Sequence, residues 1–164
     1  LGLEQYIRVA RILIGRGSFE KGFSYLDQIE SFFGSGYSEE DEKKIRLLQA
    51  EVLRATGKDQ SAQKILEEIV RSHPLQGAAL LMLGQIAWKK KEYAKASLSF
   101  ERSAKDSDYE VRALIEHARM MVSQKQYEKA STLLERAQTI DPQPRVAKYL
   151  QSINNLLASS RIRF

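Results

Sequence analysis

Three alanines spaced 34 residues apart, Ala62, Ala96 and Ala130, constrain this chain more than any other feature. They lie in SAQKIL, AKASLSF and EKASTLL. Moved back along the chain, the same ruler meets Ala50, Gly84 and Ala118; moved forward, it meets Leu66, Phe100 and Leu134. Pro74 and Pro142 stand two periods apart, and the segments 43–76, 77–110 and 111–144 align without a gap. Small residues at two fixed places in such a period mark a helix-turn-helix unit. One unit cannot bury its apolar face alone, so it stacks on copies of itself.

The middle unit shows the plan. Leu80, Leu83, Gly84 and Ala87 recur at three- and four-residue spacing, one face of a first helix. Tyr93, Ala96, Phe100 and Ala104 form the matching face of a second. Gly84 and Ala96 fall where the two helices cross, because a larger side chain would push the axes beyond the ~8–10 Å of close packing; Phe100 fills the space beside them. Pro74 and Pro142 end second helices, since proline lacks the amide hydrogen that continues a helix. Gly57 marks a turn, and Asp108 is placed to cap the helix that follows it.

An N-terminal unit, 3–36, sits in the same register, with Ala10 and Gly22 at the small positions. A Gly/Ser and acidic insertion, FGSGYSEED, separates it from the next, and Glu39–Glu42 open the following helix, where the helix dipole favours negative charge. Residues 145–158 form a last unpaired helix with a stripe of Val146, Tyr149, Leu150, Ile153, Leu156 and Leu157, which covers the end of the array. The tail SSRIRF reads as frayed. The expected fold is all-α, with nine helices in a single domain over 1–164.

Composition bounds function. No apolar run approaches the ~18 residues of a membrane span, and no signal-peptide pattern opens the chain. It begins at Leu1 rather than Met, which reads as processing or as a piece of something longer. Without cysteine there is no disulfide, thiolate nucleophile or Cys-ligated zinc, and either cytosol or periplasm is compatible. The net charge of +5 is uneven: residues 1–42 carry 4 basic and 8 acidic side chains, the remainder 22 and 13. A basic balance suits acidic peptides, nucleic acid or anionic lipid, or is simply a Lys-rich solvated surface.

These residues resemble the tetratricopeptide repeat. Its pattern of apolar, Leu, Gly/Ala and then Tyr, Ala, aromatic, Ala and Pro is met by Leu80, Leu83, Gly84, Tyr93, Ala96 and Phe100. It is met again by Leu114, Ala118, Tyr127, Ala130, Leu134, Ala137 and Pro142, and by Ala50, Gly57, Ala62, Leu66 and Pro74. The chain departs from it at His117, where the family has Leu, and at Ser103, where it has Ala. The resemblance covers about 3–158 and implies a right-handed superhelix of antiparallel pairs with a concave groove lined by the first helices.

Nothing points to catalysis. His73 and His117 lie on different units, His117 at a core-facing position; there is no phosphate loop and no metal-ligand spacing. The chain is read as no enzyme, without cofactor or metal. The implied groove residues are Arg11, Leu48, Arg54, Leu81, Met82, Gln85, Trp88, Arg112, Ile115 and Arg119, with Tyr149 beside them. Leu81, Met82 and Trp88 are large apolar groups on a face that each unit's own packing does not use, and Met and Trp suit adaptable contacts. The reading is a non-catalytic scaffold holding an apolar segment with acidic residues. The alternative is an assembly element, part of a longer array or a self-associating subunit, with an idle groove. The places at which relatives grip chaperone tails hold Leu47, Glu51, Met82, Arg112 and Glu116, or Ile7, Arg11, Leu48, Ala78 and Met82, so that ligand is rejected. Nucleic acid is a distant third, because the arginines lack interleaved aromatics.

The first helix is apolar on more than one face. Tyr6, Val9, Ala10 and Leu13 serve its own unit, while Ile7, Ile12 and Ile14 point elsewhere. The expectation is that this end is buried against an upstream repeat or a second copy of the chain.

Overall fold

The computed structural model describes residues 2–34 and 36–161; the end of the tail SSRIRF, and Ser35 of the insertion, lie outside them. Nine helices and no strand occur among the described residues. They form two compact units, 1–74 and 75–164.

Unit 1 holds α1 (Leu3–Gly15), α2 (Phe19–Phe33), α3 (Glu39–Ala55) and α4 (Asp59–Ser72). α1 packs on α2, and α3 on α4; α3 also packs on both helices of the first pair. Ser38 caps α3, its Oγ accepting the Asp41 amide at 3.1 Å, and the acidic run follows in the first turn. α1 thus packs against both α2 and α3. Ile7 and Ile14 are therefore core residues, 4% and 3% exposed, and do not point elsewhere. Ile14 reaches α2 at Gly22, where a Cβ would come within 2.6 Å of its Cγ1. Only Ile12 stays open, 47% exposed.

Unit 2 holds α5 (Gly77–Lys89), α6 (Tyr93–Ser103), α7 (Glu110–Ser123), α8 (Tyr127–Ile140) and α9 (Pro144–Arg161). α5 pairs with α6 and α7 with α8; α9 packs on α8. The small residues Ala96, Ala118 and Ala130 are fully buried, and Phe100 is 1% exposed against Gly84. α9 buries Val146 and Ile153 and leaves Leu156 of its stripe exposed. Asn154 of α9 accepts a hydrogen bond from Ser131 of α8 at 2.7 Å.

The two departures from the repeat pattern are both satisfied. Ser103 is fully buried, and its hydroxyl donates to the Gly77 carbonyl at 2.8 Å. His117, 7% exposed, hydrogen-bonds through Nε2 to Ser97 Oγ at 3.0 Å, with its ring 5.8 Å from that of Phe100. Asp108 does not cap α7, whose N-cap is Tyr109 without a side-chain bond. Instead Asp106 accepts the Asp108 amide at 3.1 Å and, across the pair, the Gly77 amide at 2.9 Å, so this corner caps α5.

Burial pushes the His117 pKa below its ordinary 6.5; the Glu101 carboxylate opposes this and Lys129 adds to it. A histidine held neutral in the fold but free to charge in the unfolded chain makes stability full above the unfolded pKa. Stability is then lost as pH falls through ~6.5 toward the folded value. Denaturant midpoints at pH 7.5 and 5.5 should fall more for the natural protein than for His117→Leu; equal losses would contradict this.

All four turns within pairs share one design. The fifteenth position of each repeat has positive φ: Gly17 at 78°, Gly57 at 80°, Lys91 at 62° and Lys125 at 60°. Its amide bonds three residues back and the next amide five back, as in Lys91 to Trp88 (2.8 Å) and Glu92 to Ala87 (2.9 Å), a Schellman closure. A side chain there costs about 1–2 kcal/mol that glycine avoids, less glycine's own entropy. Lys91→Gly and Lys125→Gly should each stabilise by about 0.5–1 kcal/mol; a destabilisation in thermal melts would count against the turn geometry.

Candidate functional site

The ten groove residues divide between the units. In unit 1, Arg11 is exposed on α1 and Arg54 is half-buried in the last turn of α3, where a cation suits the carbonyl end. Leu48, 5% exposed, belongs to the core of that unit.

Unit 2 carries the other seven on α5 and α7. Leu81 is 2% exposed and serves packing, so it offers no open surface. Met82 is half-buried, while Trp88, Ile115, Val122 and Tyr149 pack on the core cluster with part of each side chain open. Gln85 Nε2 donates to Glu116 Oε2 at 3.3 Å, and Arg119 Nη1 donates to Glu116 Oε1 at 2.9 Å. One carboxylate thus ties α5 to α7 and orients Arg119. Arg112 is exposed at the start of α7.

A cavity of about 500 Å³ lies between α7 and α9, lined by Ile115, Arg119, Gln143, Arg145, Val146 and Tyr149. Gln143 is held in place, its amide donating to Gln138 Oε1 at 2.6 Å and its Nε2 to Asp141 Oδ2 at 2.7 Å. Burial raises the Tyr149 phenol above its ordinary 10.0 and nearby Arg119 works against that, so the hydroxyl stays neutral and can donate. Ile115, Arg119 and Tyr149 follow from the repeat register, whereas Gln143 and Arg145 were missed. The signal was available: carried forward once more, the 34-residue ruler places Arg145 and Val146 at the first two positions of a fifth first helix.

Among the described residues no three His, Asp or Glu side chains gather as a metal site, and no helix is long and apolar enough to cross a membrane. The site offers hydrogen-bond donors, positive charge and apolar surface, which is recognition chemistry.

The tetratricopeptide repeat family model matches residues 47–111, from α3 to the start of α7. No curated protein matches the chain. Among solved structures, the MamA RS-1 ArsTM double mutant is similar, with a TM-score of 0.66 and 18% identity over 93% of this chain and 83% of that one. At that identity the likeness speaks for the fold. The family match covers two of the three alanines that set the 34-residue ruler, Ala62 and Ala96, and the solved fold extends over nearly all of the chain. Residues 47–111 thus carry tetratricopeptide repeats, and the all-α pairs and the four equivalent turns continue the same helix-turn-helix plan through the described residues.

Proposed function

We propose that the chain is a non-catalytic scaffold whose first-helix face in unit 2 holds a segment of a partner protein. The observation that carries this is the row of large, partly open apolar side chains on α5, α7 and α9: Met82, Trp88, Ile115, Val122 and Tyr149. Their own pairs are already sealed by Ala96, Phe100, Ala118 and Ala130, so this surface is spare for binding. Trp88 is the anchor, since a partly buried Trp concentrates binding energy.

The test is affinity capture followed by identification of crosslinked residues. Trp88→Ala and Arg119→Glu should each weaken the bound partner by about tenfold or more. If every captured partner survives both substitutions, this face is not the site.

One observation favours assembly as a second reading. The tenth position of each later repeat is buried, Val52 at 4%, Ile86 at 3% and Met120 at 0%, while Ile12 in the first repeat is 47% exposed. At the third position, however, the first repeat carries exposed Gln5 where Ile45, Ala79 and Ala113 are buried, so this end is already partly polar. Light scattering decides: a monomer unaltered by Ile12→Glu removes self-association through α1.

A further inference from the structure

We infer that the cavity between α7 and α9 is a receptor for one carboxylate side chain and its aliphatic neighbour in an extended protein segment. This rests on the groove reading above and adds the chemistry of the partner. The volume, about 500 Å³, lies within the ~300–1,000 Å³ usual for ligand pockets. Its lining includes two arginines and no acidic residue.

Arg119 is positioned by Glu116 through one Nη1 bond, which leaves the rest of its five-donor fork available. Arg145 has no carboxylate within 4 Å among the described residues, so its charge is uncompensated. Arg119, Arg145 and Glu116 together sum to +1, which matches one carboxylate and falls short of a phosphate dianion. Tyr149, which also lines the cavity, carries a phenol that can donate. Ile115, Val146 and the Tyr149 ring supply the apolar half, from which a small hydrated anion gains nothing. The positive end of α9, which begins at Pro144, reinforces the same sign of charge.

Selection of a displayed hexapeptide library on the full chain tests this, followed by titration of the selected peptides, fluorescently labelled. Enriched sequences should carry Asp or Glu within one residue of Leu, Ile or Val. Arg119→Gln and Arg145→Gln should each weaken binding about tenfold, and Lys148→Gln, a cation outside the lining, less than about twofold. Replacing the peptide's acid by its amide should cost less in either single arginine variant than in the natural protein, and nothing further in the Arg119→Gln/Arg145→Gln protein, the mark of a direct pair. All three variants change exposed side chains, and unchanged melting curves will show that they fold.

Enriched peptides without acidic residues, no enrichment at all, or equal binding to the Arg119→Gln/Arg145→Gln protein overturns the inference. So does millimolar phosphate that competes fully while the aliphatic residue proves dispensable, which would mean a simple anion site. Loss of binding in Trp88→Ala with indifference to both arginines would overturn this inference and leave the groove reading standing.

Discussion

Phe100→Ala is expected to destabilise the protein by about 3–5 kcal/mol, the largest single effect in the chain. Phe100 is the largest of the fully buried side chains, 1% exposed. Its ring occupies the place where a Cβ on Gly84 would stand, with Cε1 at 2.6 Å, and lies 5.8 Å from the His117 ring. Removing it opens a cavity between α5 and α6 that helices held by short turns cannot close. The melting temperature should fall by about 10 °C. The complementary test is Gly84→Ala, which must displace the same ring: it should cost about 1–3 kcal/mol alone and much less in a Phe100→Leu background. Additive losses would show that the two positions do not meet, and a Phe100→Ala loss below about 1 kcal/mol would remove it from the centre of the core.

Ala130→Leu is expected to cost about 1–3 kcal/mol or more, with a melting temperature lower by several degrees. Ala130 and Ala118 are both fully buried in the α7–α8 pair, so the axes can be this close only if both stay small. Ala96→Leu should behave alike, since Ala96 holds the same place in the preceding repeat. Leu98, two residues along α6, is 57% exposed, and Leu98→Ala should stay within about 0.5 kcal/mol. An unchanged melting curve for Ala130→Leu would undo the repeat register.

The helix pairs were legible in the sequence because their determinants are local. Whether a residue is small, apolar or a helix breaker does not depend on its neighbours in space, so Ala62, Ala96 and Ala130 locate three second helices by spacing alone. The turns were half legible: Gly17 and Gly57 announce positive φ, whereas Lys91 and Lys125 do so only through the register. The candidate site was less so. Trp88, Ile115 and Arg119 are partly or well exposed, as the repeat pattern implies, but Leu81 and Leu48 have the same pattern and are buried. Helical periodicity gives the direction of a side chain and not what stands in front of it.

By itself, the sequence determined the period, the nine helices, the two small positions of each repeat and the absence of thiol chemistry, since each depends on residue type and spacing. The tertiary structure alone decided the rest. It turned Ile7 and Ile14 inward, into a core that α1 shares with both α2 and α3, with Ile14 seated on Gly22 of α2. It assigned Asp106 rather than Asp108 to capping, and to a helix about thirty residues upstream, because the α6–α7 corner folds back on Gly77. It also set Arg145 beside Arg119 across a cavity. Contacts between residues distant in the chain depend on how helices cross, and spacing along one helix carries no record of that.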